Sequence, residues 1–223
     1  MSIQHEKFLV PAGGVEVSAA FASPANATAA VVVAHGAGAG MDHPFLTGFT
    51  DALNDDGVAT LRFNFPYREA GKKFPDRPPA AIEAWRAAMT AAAARTPGLP
   101  LWACGKSFGG RMASMAAAEG MTTAGLIFLG YPLHPPGKPE KLRDEHLYGL
   151  TLPMLFLQGT RDPFALPGEP EPVAERIGPN ARIHWVDGGN HSFEVRGNKR
   201  DPEVVGAELA GPVVRFLEGT APD

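Results

Sequence analysis

The stretch Leu99–Glu119, LPLWACGKSFGGRMASMAAAE, constrains this chain more than any other, because its two halves ask for different backbones within a few residues of each other. The apolar run Leu99, Leu101, Trp102, Ala103, Cys104, bounded by Pro100 and Gly105, has the pattern of a strand covered on both faces in a parallel sheet. Arg111–Glu119 is rich in Ala and Met, which predicts a helix, and Gly120 supplies its stop. The connection Gly105-Lys106-Ser107-Phe108-Gly109 reads G-x-S-x-G. Turning a strand into a helix this sharply forces the central residue into strained dihedrals, at about 1–3 kcal/mol. Glycines on either side remove Cβ atoms that would collide where backbone passes backbone. The Ser107 hydroxyl is thereby held at the tip of the turn, beside the positive end of the helix and the Phe108 N–H. A nucleophile is exposed with an oxyanion donor next to it.

The rest of the chain reads as strands alternating with helices. Residues 6–10 and 15–21 flank Pro11-Ala12-Gly13-Gly14 and predict an antiparallel hairpin. The β-branched run 29–34 predicts a buried central strand, which ends in His35-Gly36-Ala37-Gly38-Ala39-Gly40-Met41-Asp42-His43-Pro44. A helix over 44–56 and a strand over 58–65 follow, then a polar, Pro-rich loop at 71–79 and a helix over 78–95 with Ile82, Trp85 and Met89 on one face. Strands are predicted at 124–129, 152–158 and 182–186, and a closing helix at 201–217 that Pro212 must kink or break. The segment before residue 150 is too short for a large helical lid, so the site is expected to be open. In such a sheet, ligands bind at the carboxyl edge, which makes His43, Tyr67, Arg68, His134 and Phe164 candidate pocket residues. No linker or repeat divides residues 1–223, so a single domain is expected.

Charge and composition exclude several classes. The net charge is −4 and no Lys/Arg cluster exceeds two residues, so nucleic acid is not an expected partner. The one cysteine, Cys104, cannot form an internal disulfide and reads as a small core residue. With no apolar leader at the amino terminus and no 18-residue apolar run, the expected location is cytoplasmic and off the membrane. H-E-x-x-H and zinc-type Cys/His spacings are absent, and GAGAG lacks the G-x-G-x-x-G spacing of a dinucleotide loop. No metal or cofactor is expected.

A serine hydroxyl is a poor nucleophile at neutral pH unless a base takes its proton, and that base needs a carboxylate to fix its tautomer. His191 and Asp162 supply both, and each of the three side chains directly follows a predicted strand, so all converge on one edge of the sheet. Asp187 lies close to His191 in sequence but follows a different strand, and His184 lies within one. The chemistry expected of the three is acyl transfer from a small ester or thioester to water.

HGAGAGMDHP, RFNFPY, YPLHPPGK and GGNHSF, together with the elbow, resemble the α/β-hydrolases, more narrowly their compact dienelactone-hydrolase-like branch. The resemblance extends over most of residues 29–217 to the hydrolase-like domain shared by testis-expressed proteins, a nuclear acetyltransferase-complex subunit and bacterial relatives. It implies an α/β-hydrolase fold: a mostly parallel twisted sheet of about seven or eight strands, helices on both faces and no large lid domain. The order Ser107, Asp162, His191 is that of this family rather than of chymotrypsin or subtilisin. The loop after the 29–34 strand then carries the second oxyanion donor, assigned here to the Ala37 N–H beside that of Phe108. Dienelactone hydrolases have cysteine where this chain has Ser107, which counts against a dienelactone substrate. Two alternatives stay open: a non-catalytic interaction module, and an acyltransferase or perhydrolase using the same three residues.

Overall fold

The computed structural model describes residues 2–75 and 77–220. In chain order the elements are β1 (Ile3–Ala12), β2 (Val15–Pro24), β3 (Ala29–Ala34), α1 (Pro44–Asp55), β4 (Val58–Phe63), α2 (Pro66–Glu69), α3 (Pro78–Arg95), β5 (Leu101–Lys106), α4 (Phe108–Ala118), β6 (Leu126–Leu129), β7 (Met154–Gly159), α5 (Pro170–Ile177), β8 (Ala181–Val186), α6 (Pro202–Glu208) and α7 (Ala210–Glu218). The eight strands form one sheet in the order β1-β2-β4-β3-β5-β6-β7-β8. β1, β2 and β4 pair antiparallel, and every pairing from β4 to β8 is parallel.

Side-chain alternation along the central strands builds two cores. In β3, Ala30, Val32 and Ala34 face one side with α3 and α4, while Ala29, Val31 and Val33 face the other with α1, α6 and α7. Strands β5, β6 and β7 divide in the same way: Ala103, Phe128 and Phe156 go to the first core, and Cys104, Ile127 and Leu155 to the second. This explains the unbroken apolar runs in the sequence, since both faces of each strand are covered. Trp85 of α3 lies fully buried in the first core, and its indole N–H donates to the Gly109 carbonyl at 3.0 Å, bracing the start of α4.

Several boundaries differ from the sequence reading. Strand β5 runs two residues further than expected, so Gly105 and Lys106 belong to the strand, and α4 begins at Phe108 rather than 111. Gly109 and Gly110 hide that first turn, because glycine carries low helix propensity. Strand β4 stops at Phe63, and Pro66 opens α2, a short helix that the apolar pattern does not announce. The closing helix is broken rather than kinked: α6 ends at Glu208 and α7 starts at Ala210. Pro212 lacks the N–H that would bond the Glu208 carbonyl, and its ring crowds that same carbonyl, so the break falls one turn upstream of the proline. The expected loop at 71–79 includes residue 76, which lies outside the described residues.

Helices α1 and α6 meet backbone to backbone. A Cβ on Gly48 would sit 2.1 Å from the Glu203 carbonyl oxygen, and one on Gly206 would sit 1.9 Å from that of Phe45. Between β6 and β7 the described chain adds one 3₁₀ turn, Glu145–Gly149, and no lid. Among the described residues no helix is long and apolar enough to cross a membrane.

Candidate active site

Ser107 occupies the step from β5 to α4 with φ 48° and ψ −111°, a conformation that non-glycine residues rarely adopt. Space, rather than φ, fixes the glycines around it. A Cβ on Gly105 would fall 2.2 Å from the Gly110 nitrogen, and one on Gly109 would fall 2.7 Å from the His35 carbonyl oxygen. The turn closes only because three backbones can touch there.

The structure brings Ser107, His191 and Asp162 into one line. His191 Nε2 lies 2.8 Å from Ser107 Oγ, and His191 Nδ1 lies 2.7 Å from Asp162 Oδ2. A carboxylate only accepts, so Nδ1 carries the proton and Nε2 is free to accept from the serine. Asp162 is fully buried, and three donors hold it. Besides His191, the Gln158 side-chain amide donates to Oδ2 at 2.7 Å, and the Phe164 N–H donates to Oδ1 at 2.9 Å. Gln158, itself buried, accepts from the Tyr131 N–H at 3.0 Å, so its amide cannot swing away. Asp187 instead accepts from the Thr160 hydroxyl at 3.4 Å and takes no part in this line. His184 sits within β8, which forms one edge of the sheet.

The loop carrying His191 is held from several sides. Phe193, at φ 62°, buries its ring against Phe45, and the Phe164 ring lies 4.2 Å from the imidazole, centroid to centroid. Asn190 Oδ1 accepts the N–H groups of Ser192 and Glu194. Burial lowers the His191 pKa below the ordinary 6.5; the Asp162 hydrogen bond opposes this, and the Lys106 ammonium adds to it. The net effect keeps the ring neutral and able to accept a proton.

Gly36 and Ala37 border the same space, with a Gly36 Cβ position 3.7 Å from that of Ser107. The Ala37 N–H has no partner among the described residues, and the Phe108 N–H opens α4, where no intrahelical acceptor exists. His35 fixes this loop. Its Nε2 accepts the Phe65 N–H at 3.1 Å, so its Nδ1 must be the donor, to the Gly36 carbonyl at 2.8 Å. Burial pushes its pKa down to about 4, in keeping with a ring that stays neutral.

A cavity of about 430 Å³ opens over Ser107 and His191, walled by Ala37, His43, Phe45, Leu46, Lys106, Phe164, Glu194 and Val205. Of the expected pocket residues, His43 and Phe164 line it, and His43 also caps α1 by accepting the Phe45 N–H at 3.2 Å. The other three do not. Tyr67 is buried behind the loop, its hydroxyl 3.4 Å from the Gly36 carbonyl. Arg68 stands outside the lining, its Nε 3.9 Å from where a Cβ on Gly40 would sit, and His134 is buried against Glu169. Position at the sheet edge told where these residues stand along the strands but not on which side of the loop layer. Lys106, Gln158 and His35 belong to the site and were missed. Lys106 was visible only as the variable position of the elbow motif, and His35 only as the head of the glycine loop.

The family model described as an alpha/beta hydrolase domain matches residues 27–210. Among solved structures, the fold matches an alpha-beta serine hydrolase homologue from Coxiella burnetii at 20% identity and a TM-score of 0.75, covering 95% of this chain and 97% of that one. A dienelactone hydrolase from Anabaena variabilis matches at 22% identity and a TM-score of 0.75, over 97% of this chain and 98% of that one. A serine hydrolase without lid from Xanthomonas campestris matches at 18% identity and a TM-score of 0.75, over 99% and 96%. An open eight-stranded sheet, a serine elbow between β5 and α4, and a family model spanning both cores lead to one conclusion: the chain belongs to the alpha/beta hydrolase domain family, with the fold of its dienelactone-hydrolase-like branch.

Proposed function

We propose that this protein is a serine hydrolase cleaving esters or thioesters of small acids, with Ser107 as nucleophile, His191 as base and Asp162 as the carboxylate that orients it. The observation that carries the reading is the unbroken line from Asp162 through His191 to Ser107, at 2.7 and 2.8 Å. Ser107 Oγ attacks the substrate carbonyl as its proton passes to His191 Nε2. The Phe108 and Ala37 N–H groups receive the oxyanion, each worth roughly 2.7–4 kcal/mol of transition-state stabilisation. Collapse of the intermediate breaks the bond to the alcohol or thiol, which leaves with the proton from His191. Water, deprotonated by the same nitrogen, then attacks the acyl-serine, and the released acid restores Ser107. These steps use only groups of the chain and water. The cavity volume and the missing lid favour short acyl groups that enter directly from solvent.

Labelling with a fluorophosphonate probe and turnover of p-nitrophenyl acetate test this reading. Both are expected for the wild type. Ser107→Ala should abolish labelling and lower kcat by about 10⁶. A folded wild type that does not label, or equal turnover by the variant, would refute the assignment.

A further inference from the structure

Lys106 directly precedes the elbow serine, and strand alternation places it on the same face as Trp102 and Cys104, away from α4. Its stem passes Gly36, with Cγ 3.5 Å from where a Cβ would sit, and its ammonium donates to the His191 carbonyl at 2.5 Å. The ammonium lies 5.3 Å from the centroid of the buried Phe193 ring. Gly130, at φ 73°, leaves the space that both groups share: a Cβ there would stand 3.2 Å from Lys106 Nζ and 3.5 Å from His191 Nδ1. No carboxylate among the described residues forms an ion pair with this cation. The ammonium is partly buried at the cavity wall, and its one direct polar contact among the described residues is the His191 carbonyl.

We propose that Lys106 is a positioning residue, whose ammonium grips the His191 carbonyl beneath the imidazole and ties the histidine loop to the elbow strand, setting the ring over Ser107. This rests on the hydrolase reading given above. The grip spans 85 residues of sequence and joins the nucleophile's own strand to the base's own loop, so both reacting atoms share one anchor. A displacement of about 1 Å between such groups can lower a rate on the order of 10²-fold. The other charged or titratable groups facing the pair are Asp162 from the loop after β7, Glu194 from the histidine loop and His43 at the start of α1; α6 presents only Pro202 and Val205. Asp162 favours the charged form of both His191 and Lys106, whereas Lys106 disfavours that of His191. Burial brings Lys106 itself down to about 8, so the charge that strengthens the grip is lost in mildly alkaline solution.

Lys106→Met and Lys106→Gln test the inference in the full-length protein, with kcat and kcat/KM for p-nitrophenyl acetate followed against pH. For Lys106→Met, kcat should drop by about 10–100-fold with KM changed less than about threefold. In both variants the acid limb should move to higher pH, and the alkaline decline expected of the wild type near 8 should be absent. Ring titration of His191 by NMR in a Ser107→Ala background, with and without Lys106→Met, reads the same shift without turnover. An acid limb and a ring titration unmoved in both variants, or a loss spread evenly over pH, would overturn the role of Lys106. Failure of the wild type to label with a fluorophosphonate would instead overturn the hydrolase reading, while the NMR shift still decides whether Lys106 acts on His191.

Discussion

Two histidines at the carboxyl edge of this sheet each meet a carboxylate, His191 with Asp162 at 2.7 Å and His134 with Glu169 at 2.9 Å, yet they are pushed in opposite directions. The difference lies in the third partner. His191 turns its second nitrogen to the Ser107 hydroxyl, which can donate, so one proton satisfies the ring. His134 turns its second nitrogen to the Pro135 carbonyl at 2.8 Å, which can only accept, so both ring nitrogens must carry protons. Burial alone would lower both pKa values. At His134 the bonds to Glu169 and Pro135 outweigh it and raise the pKa above 6.5; at His191 burial and Lys106 prevail and lower it. A histidine–carboxylate pair is thus a base or a structural ion pair according to what faces its far side.

The sharpest way to break this comparison is to neutralise each carboxylate. Asp162→Asn should lower kcat by about 10⁴, because the amide favours the wrong tautomer of His191, whereas Glu169→Gln should leave kcat within about threefold. Comparable losses would erase the distinction. Next, His134→Asn should cost about 1–3 kcal/mol of stability by taking the imidazole donor from the Pro135 carbonyl and leaving Glu169 Oε2 with the Leu166 N–H alone. That is a fall of roughly 2–12 °C in Tm for a chain of this size, measurable by calorimetry. His191→Asn should abolish turnover and leave Tm almost unchanged.

The smallest effect is the pH dependence, and its sign differs between the two sites. For His134 the folded pKa is raised, so its contribution to stability is complete below the unfolded value of 6.5 and disappears as pH rises through the folded value. Glu169 is lowered below 4.5: burial raises it, but the bonds from His134 and the Leu166 N–H overcome that. Its contribution is present above 4.5 and disappears as pH falls through the folded value. The stabilisation from this pair is therefore greatest between about 4.5 and 6.5. Under the proposed function turnover should run the other way, falling as pH drops through the lowered His191 pKa. Denaturant midpoints of wild type and His134→Asn across pH 4–9, set beside a pH–rate profile, check both slopes. Parallel slopes would mean that the two histidines share one charge state.

What could be read without coordinates was what is local or repeats along the chain. The elbow is spelled by glycine spacing, and the β-strand runs by their apolar character, so the sheet and the positions of Ser107, Asp162 and His191 at one edge were legible. Residues whose partners are distant in sequence were not. Gln158 matters through Tyr131, 27 residues away, and Lys106 through His191, 85 away, and neither pairing leaves a periodic mark. Tyr67, Arg68 and His134 were misplaced for a related reason: a loop residue beyond a strand end can turn towards the pocket or behind it, and tertiary packing decides. Helix α5 is only eight residues long and carries Pro170 and Pro172 in its first turn, so it is amphipathic yet too short and too proline-rich to read as a helix from the sequence alone.

The contact between α1 and α6 has a consequence for how this protein could change its diet. Phe45 and Leu46 from one helix and Val205 from the other make the cavity's far wall, and Gly48 and Gly206 press those helices together with no side chain between them. A seam of bare backbone offers nothing to trim, so the wall cannot recede by shortening a residue within it. Room for a bulkier acyl group has to be carved from the lining itself, Val205 first, and the two glycines set the floor plan within which any such remodelling must stay.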